Sequence, residues 1–415
     1  HTPRAAVRHR PRERSHLKHV HRFDYQHSDY LERVGIHSQP VDNGRLISEG
    51  RYGAIQAALA FLQRFRTGAG KAGRKGSASG MTSTDNELHY AILGAGAMGY
   101  RYGVLLQELA GKKVDFVDCW QPNVDAAQAR GGVTVSRDHE NRHVVPVSVC
   151  TPEQYQGDPD VWIVMVKQMQ LADVLERCAK AGLFKDHQVV FSAMNGWGHF
   201  EKLQKYFKDE NIYGGTAMVA TVMNDPADVD FIGKPGAGAM RLVSMTGEKT
   251  LVEQQMFDDF KAANFNPSYG NDLKGTCMAK VIFNSVVNTL CTMYQIQMGQ
   301  FIEYPGALDM AKQLIDEAYD ACERAGVELV QDRQHELHDV EYVSRVANPL
   351  HYPSMYQDLT KGRETEVDYI NGYIAKLGRQ NDCPCRTHEF LTRGVHLAEM
   401  AFAIHNPELA SAEAA

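Results

Sequence analysis

The sequence predicts an α/β protein, in which a domain built on a parallel sheet (residues 81–249) precedes an all-helical domain (residues 250–405). Two observations carry this prediction. Short apolar runs alternate with helix-spaced segments as far as Lys249, which is the pattern of a parallel sheet with crossover helices. Beyond Lys249 the apolar residues follow helical spacing, and no further strand is predicted. With 415 residues, 43% of them hydrophobic, the chain is long enough for two domains.

The first predicted strand, His89–Leu93, runs directly into a glycine-rich turn. Helix-spaced apolar residues follow this turn, which consists of Gly94, Ala95, Gly96, Ala97, Met98 and Gly99. In such a unit the first glycine permits a tight turn, the second lets the backbone approach a pyrophosphate, and the third lets helix and strand pack closely. The helix N-terminus then faces the phosphates. We therefore predict a Rossmann-type dinucleotide-binding domain in which these six residues bind the cofactor.

The second predicted strand, Val114–Asp118, ends in a carboxylate that is 19 residues beyond Gly99. A carboxylate at this point can accept both ribose hydroxyls of the cofactor, and it repels a 2′-phosphate. Asp118 is therefore a predicted cofactor ligand that favours NAD(H), while NADP(H) stays open. The structural alternative is an aspartate that only caps the following helix.

Later apolar runs predict three more strands: Val161–Val166, Gln188–Met194 and Gly214–Ala220. Lys167, Gln170 and Asn195 follow the carboxyl ends of the first two, which is the edge where ligands of parallel sheets bind. We predict that all three contact the cofactor. Gly236–Met240 repeats the first five residues of the glycine turn, but Arg241 replaces the third glycine, so we predict a hairpin there.

In the second half, the helix predicted over Cys277–Tyr294 is apolar almost all round and hence buried. Lys280, Asn284 and Asn288 nevertheless recur at a spacing of four residues, which places them on one stripe. A lysine on a buried helix lowers stability unless its ammonium is paired with a carboxylate or takes part in binding or catalysis. The alternative is a lysine that snorkels to solvent at the helix start.

The segment 351–372 concentrates hydroxyl, carboxylate and amide groups between apolar anchors. His351, Ser354, Asp358 and Glu366 are its candidate functional residues. Ordered polar groups beside a core are what a binding site requires. The structural alternative is an amphipathic helix that is broken at Gly362.

Residues 1–80 differ in composition from the rest of the chain. They carry a formal charge of +9, against −16 for the remainder, and end in a Gly- and Ser-rich stretch before Met81. Three interpretations compete: an arm for nucleic acid or membrane, a targeting peptide, and an upstream extension outside the fold. We favour the third, expect residues 1–80 to be disordered and 406–415 to be a tail, and expect neither a nucleic-acid nor a membrane partner.

The eight cysteines are scattered and include no Cys-x-x-Cys pair. Reduced thiols within apolar segments are typical of a cytoplasmic protein. Cys383 and Cys385 form the one close pair, with no histidine cluster nearby, so we predict no metal site. No apolar run approaches the length that crosses a bilayer.

Five motifs resemble, in order, those of the ketopantoate reductase family, and the resemblance covers about residues 88–400. They are Gly94–Gly99, Val166–Gln170, Asn195–Gly198, Lys280–Asn288 and the segment from Ser354 to Gly372. The resemblance implies a Rossmann domain followed by a helical domain, with the substrate bound between them. It implies NAD(P)H-dependent reduction of a 2-oxo acid to a D-2-hydroxy acid, of the 2-dehydropantoate 2-reductase type.

The resemblance also implies a role for each candidate residue. Lys280 would be the general acid that protonates the substrate carbonyl oxygen, and Glu366 its partner carboxylate. The predicted substrate-binding residues are Asn195, Asn284, Asn288, Ser354, His351 and Asp358. A homodimer stays open as the oligomeric state.

Two alternatives remain for the function. The segment His351–Asp358, together with Asn266–Tyr269 and Asn195–His199, looks more like the NAD-dependent D-2-hydroxyacid dehydrogenases of the D-mandelate type, a branch of the same family that acts on bulky 2-oxo acids. A non-catalytic NAD-binding regulator is the second alternative, although a regulator needs neither an acid nor its partner carboxylate.

Overall fold

The computed structural model describes residues 87–236 and 239–407. The predicted leader and nearly all of the predicted tail lie outside the described residues. Within the described part, a sheet domain precedes a helical domain, so the predicted fold class is confirmed. None of the described helices is long and apolar enough to span a membrane.

The sheet domain contains thirteen described strands, which alternate with helices in its first part. The strands are β1 (Tyr90–Leu93), β2 (Val114–Val117), β3 (Val133–Arg137), β4 (Glu140–Val145), β5 (Val149–Cys150), β6 (Val161–Val164), β7 (Val189–Ser192), β8 (Ile212–Gly214), β9 (Ala217–Met218), β10 (Ala220–Asp225), β11 (Asp228–Ile232), β12 (Ala239–Ser244) and β13 (Pro267–Tyr269). The helices are α1 (Ala97–Ala110), α2 (Gln121–Arg130), α3 (Leu171–Lys180), α4 (Phe200–Leu203), a 3₁₀ turn (Asp209–Asn211) and α5 (Leu251–Ala262).

The main sheet has the order β13-β12-β8-β7-β6-β1-β2-β5, and β9 pairs with β12. From β5 to β8 all neighbours are parallel, whereas β12 runs antiparallel to β8. Both faces are covered, because Tyr90 and Ile92 lie in one apolar core while Ala91 and Leu93 lie in the other. Burial on both faces explains why these strands read as continuous apolar runs.

A second sheet, of order β10-β11-β3-β4, packs beside α1. The sequence analysis missed it. Arg101 of α1 anchors this sheet, since its guanidinium donates to the carbonyl of Ala220 (2.7 Å) and stacks over Phe231.

Three predictions in this region need correction. The run Gly214–Ala220 is not one strand but is divided among β8, β9 and the start of β10. The hairpin predicted at Gly236–Met240 is wrong, because β12 pairs with β8, β9 and β13 and not with β11, the strand before it. A strand does occur beyond Lys249, since β13 extends the main sheet, and α5 packs on α1 of the sheet domain.

The helical domain is built around α6 (Leu273–Tyr294), whose first turn is capped by the Asp272 side chain. The other helical elements surround α6: α7 (Met298–Glu303), α8 (Ala307–Arg324), α9 (Arg333–Tyr342), a π-helix (Val343–Ala347), α10 (Ser354–Leu359), a 3₁₀ turn (Val367–Tyr369), α11 (Asn371–Gln380) and α12 (Arg386–His405). Most of α6 is buried, as its apolar pattern predicts. Its core residues Val281 and Val286 share one apolar cluster with Leu93 and Val164 of the sheet, so the two domains are packed together.

Candidate active site

The glycine turn between β1 and α1 has the geometry that its sequence predicts. Gly94 has a φ of +97°, and a Cβ on Gly99 would lie 1.9 Å from the Gly94 carbonyl oxygen. Gly96 faces open space, with no heavy atom within 4 Å of a Cβ built there, and no side chain caps α1. Free backbone N–H groups at a helix start beside open space fit a pyrophosphate. Ala95, Ala97 and Met98 complete the turn, and the Ala95 carbonyl accepts from the Asn123 amide.

Asp118 stands at the end of β2, as predicted, and is almost fully buried. One carboxylate oxygen accepts from the Trp120 backbone N–H (3.0 Å) and the other from the Asn123 amide (2.6 Å). Burial raises the pKa of Asp118. The carboxylate therefore shapes the loop that enters α2, and each oxygen keeps a lone pair for a further donor.

A chain of charged groups crosses the junction between the two domains. Lys167, just beyond β6, donates to Asp358 of α10 (2.6 Å) and lies 3.8 Å from Glu366. The other oxygen of Asp358 accepts from Arg363 (2.7 Å). Burial opposes the charge on Lys167, but the two carboxylates outweigh it and raise the pKa of the lysine.

Backbone groups hold the same junction. The Gln168 N–H donates to Glu366 (3.3 Å), and its side-chain amide donates to the Asn195 carbonyl (2.8 Å). The Trp197 N–H donates to the Tyr369 carbonyl (2.9 Å). A Cβ on Gly196, whose φ is +79°, would lie 2.6 Å from that carbonyl oxygen. The loop after β7 thus lies directly against the 3₁₀ turn of the helical domain.

Lys280 extends from α6 toward the sheet domain, where its ammonium donates to the Ala217 carbonyl of β9 (2.8 Å). Burial lowers the pKa of Lys280 to about 8, with Cys277 and Glu366 opposing the shift. Asn284 and Asn288 are buried further along α6, and neither side-chain amide has a partner among the described residues. Two amides without a protein partner, in line with a lysine, are suited to bind a polar ligand.

Glu366 is buried beside this lysine but does not hold it as the resemblance implied. Among the described residues its ion-pair partner is Lys167 and not Lys280. Burial raises the pKa of Glu366, and Lys167 opposes the rise. Glu366 therefore acts on Lys280 through its charge and not by direct contact.

The remaining predicted residues, Ser354, Gln170 and His351, differ in their surroundings. Ser354 begins α10, on the same face as Asp358 one turn later. Gln170 and His351 are exposed, and among the described residues neither side chain forms a hydrogen bond. A cavity of about 600 Å³ at the corner of α8 and α9 contains none of the residues named for this site.

Three participants were missed: Gln168, Arg363 and the Ala217 carbonyl. Arg363 had a weak signal, since it is a cation five residues beyond Asp358 in a strongly acidic part of the chain. The Ala217 carbonyl is a backbone group and carries no sequence signal, whereas Gln168 acts through both its backbone N–H and its side-chain amide.

Comparisons with known proteins agree with this arrangement. A family model described as ketopantoate reductase PanE/ApbA matches residues 90–240, and its C-terminal counterpart matches residues 272–399. The chain is 28% identical to a 2-dehydropantoate 2-reductase of Lactococcus lactis subsp. lactis (strain IL1403), covering 75% of this chain and 98% of the relative. An enzyme of that name from Archaeoglobus fulgidus is also 28% identical, with 73% of this chain and 96% of the relative covered.

Among solved structures, the fold is similar to D-mandelate dehydrogenase in a ternary complex with NADH and anilino(oxo)acetate. The TM-score is 0.70 at 27% identity, with 76% of this chain and 99% of that chain covered. Together the two family models match more than half of the chain. The chain therefore belongs to the ketopantoate reductase family.

Proposed function

We propose that the protein reduces a 2-oxo acid to a D-2-hydroxy acid with a reduced nicotinamide cofactor, as a 2-dehydropantoate 2-reductase does. The observation that carries this proposal is the position of Lys280. Its ammonium lies at the domain junction, where it donates to the Ala217 carbonyl, in line with two amides that have no partner among the described residues. Family membership supplies the reaction class.

In this reaction, each residue of the site has a separate role. A bound nicotinamide supplies hydride to the carbonyl carbon of the substrate. Lys280 stabilises the negative charge that develops on the carbonyl oxygen and donates the proton to it. Asn284, Asn288 and Ser354 orient the substrate by hydrogen bonds. Glu366 maintains a negative charge near Lys280, which favours the ammonium form.

We propose NAD(H) as the preferred cofactor. The carboxylate of Asp118 ends β2, and Cys119 and Trp120 follow it where an NADP-dependent enzyme would offer a cation. Lys167 is engaged by Asp358 at 2.6 Å, so it is not free to bind a 2′-phosphate. The similar D-mandelate dehydrogenase is a complex with NADH, which supports the same preference.

A second candidate is a D-2-hydroxyacid dehydrogenase acting on bulky 2-oxo acids. The structural similarity to D-mandelate dehydrogenase favours it. Both candidates use the same acid and differ in the side chain accepted beside the carbonyl. We also propose a cytoplasmic location, on the ground of eight cysteines without disulfides.

One set of assays distinguishes these candidates. Oxidation of NADH and of NADPH is followed with ketopantoate, benzoylformate, phenylpyruvate and branched 2-oxo acids. Preferred use of ketopantoate supports the reductase, and rapid use of aromatic 2-oxo acids without turnover of ketopantoate supports the dehydrogenase. Binding of NADH without turnover of any 2-oxo acid would leave a non-catalytic regulator and refute the proposed reaction.

The rate should depend on pH through Lys280. Because only the ammonium form can donate a proton, kcat/KM for reduction is expected to be constant below a pKa of about 8. Above that value it should fall about tenfold per pH unit. Oxidation of the hydroxy acid should rise over the same range, because the neutral amine is then the base. Initial rates in both directions, measured across this range in one buffer system, check the prediction, and a reduction rate that does not change at alkaline pH contradicts it.

A further inference from the structure

Asn371, the first residue of α11, is completely buried in the helical domain and forms three hydrogen bonds there. Its carbonyl oxygen accepts from the Thr289 hydroxyl of α6 (2.5 Å). Its amide nitrogen donates to the Ser285 carbonyl of α6 (3.0 Å) and to Nδ1 of His388 on α12 (3.3 Å). The side chain of Asn371 is therefore bonded to two neighbouring turns of α6 and to a second helix.

The other ring nitrogen of His388 completes this buried network. Nε2 lies 2.9 Å from the Leu314 carbonyl of α8, which can only accept, so Nε2 carries the proton and Nδ1 is free to accept from Asn371. Burial lowers the pKa of His388 to about 4, so the ring is neutral at neutral pH. Each polar side-chain atom of Asn371 and His388 thus has a partner, and a fully satisfied buried network holds one geometry.

Stability alone does not require polar groups at this place. The sequence neighbours of the network, among them Val286, Ile370 and Ile374, belong to the apolar core of the helical domain. Burial of an amide and a hydroxyl lowers stability by an amount that their hydrogen bonds do little more than offset. The network adds direction instead, because it determines which turns of α6 meet the start of α11.

On α6 the network is directly linked to the candidate active site. Ser285 and Thr289 are the residues that follow Asn284 and Asn288, the two amides in line with Lys280. We call Lys280, Asn284 and Asn288 the polar stripe of α6. One residue corresponds to about 100° around a helix, so the bonds to Ser285 and Thr289 fix the direction in which the polar stripe faces.

On the other side, one tight turn joins Asn371 to Glu366. The Tyr369 N–H donates to the Glu366 carbonyl (3.0 Å), and the Ile370 N–H donates to the Val367 carbonyl (3.1 Å). Val367 and Ile370 are buried in the core. Because this turn is held by its own hydrogen bonds and by buried side chains, a displacement of Asn371 is transmitted to Glu366.

We propose that Asn371 is a positioning residue, which holds Glu366 and the polar stripe of α6 in one register for the reduction. Rotation or sliding of α6 against α11 would break the bonds to Ser285 and Thr289 together. Such precision matters, since a misplacement of about 1 Å in a catalytic site can lower the rate by roughly 10²-fold. The inference rests on the proposed function, because that function makes Lys280 the proton donor.

Thr289 allows the sharpest test of this role. Thr289→Val replaces the hydroxyl that donates to Asn371 by a methyl group, whereas Thr289→Ser keeps the hydroxyl and removes a methyl group. We expect Thr289→Val to lower kcat for a 2-oxo acid by roughly tenfold or more, while NADH affinity changes by less than about twofold. Thr289→Ser should have nearly the kcat of the unchanged protein. A role in packing alone predicts the reverse order, because only the serine leaves a cavity.

The pH profile is a second readout, which a loss of stability alone does not move. Cys277 and Glu366 both favour the ammonium form of Lys280. When Glu366 is displaced, this support is lost, so the alkaline fall of kcat/KM should begin at lower pH in Thr289→Val. Thr292→Val is the matched control, because Thr292 is equally buried on α6 but its hydroxyl has no hydrogen-bond partner among the described residues. Its kcat and pH profile should be unchanged.

Circular dichroism and NADH titration confirm that each variant is folded. Should Thr289→Val fail to fold, Asn371→Asp keeps the accepting oxygen, removes the donating nitrogen and should lower kcat in the same way. A folded Thr289→Val variant with the kcat and pH profile of Thr292→Val overturns the proposal, and so does an equal loss of kcat in the valine and serine variants. An unchanged protein that reduces no 2-oxo acid is a separate result, which refutes the proposed reaction and this role with it.

Discussion

Replacement of Lys280 by methionine is expected to lower turnover of a 2-oxo acid by roughly 10²–10⁴-fold, while NADH binds with little change. The methionine keeps most of the apolar stem of the lysine but removes the ammonium, which lies at the domain junction and donates to the Ala217 carbonyl. No other described lysine lies on the stripe formed by Asn284 and Asn288. Without the ammonium, the developing charge on the substrate oxygen has neither a counter-charge nor a proton donor.

Steady-state kinetics measures the loss of turnover, and NADH titration followed by fluorescence measures cofactor binding. Lys180→Met is the control, because the Lys180 side chain is 73% exposed on α3 and, among the described residues, forms an ion pair only with Glu176 of the same helix; turnover should be unchanged. The alkaline fall of the reduction rate should disappear from the small residual activity of Lys280→Met. Turnover within a few-fold of the unchanged protein would remove Lys280 from the acid role.

Replacement of Asp358 by alanine is expected to lower the free energy of unfolding by about 2–3 kcal/mol. Asp358 is buried and accepts from Lys167 and Arg363 on its two oxygens, so its removal leaves two cations facing each other at the domain junction. Loss of a buried partner costs about 3–5 kcal/mol. Both cations are more than one third exposed, so water screens them and brings the expected cost to the lower end of that range or just below it.

Urea unfolding at neutral pH measures this loss, and the chain offers a matched control. Asp316 also lies between a lysine and an arginine, Lys312 and Arg333, but at the surface of the helical domain. Asp316→Ala should therefore cost less than about 1 kcal/mol. In Asp358→Ala, Lys167 is released toward Glu366, so KM for the 2-oxo acid should change as well. Equal costs for the two substitutions would show that the junction does not depend on the Lys167–Asp358–Arg363 chain.

Local periodicity was sufficient to predict much of the fold. The strands β1, β6 and β7 are buried on both faces, so their apolar runs are continuous and bounded by glycine or polar residues. The stripe of Lys280, Asn284 and Asn288 follows from helical geometry alone. These features depend on residues within a few turns of one another, and such spacing is visible in a single sequence.

The strands and contacts that the sequence did not predict lack such a local pattern. Five of the six residues of β4 are exposed, so this strand lacks the apolar alternation that predicts a strand. β13 has three residues and begins with Pro267, which is a weak strand signal. Lys167 and Asp358 are 191 positions apart, and no local pattern indicates that they meet. No local pattern indicates that Lys167 and Glu366, 3.8 Å apart, meet either.

The contact between the loop after β7 and the 3₁₀ turn has a consequence for the range of substrates that this architecture can accept. The Trp197 N–H bonds to the Tyr369 carbonyl, and Gly196 leaves no space between the two main chains. The width of the gap between the domains is thus set by peptide groups, which every sequence possesses. Side chains that line this gap can be exchanged for larger or smaller ones, while the distance between Lys280 and the cofactor-binding edge of the sheet stays the same. Selectivity can therefore diversify in such a protein without the distance needed for the chemistry being rebuilt each time.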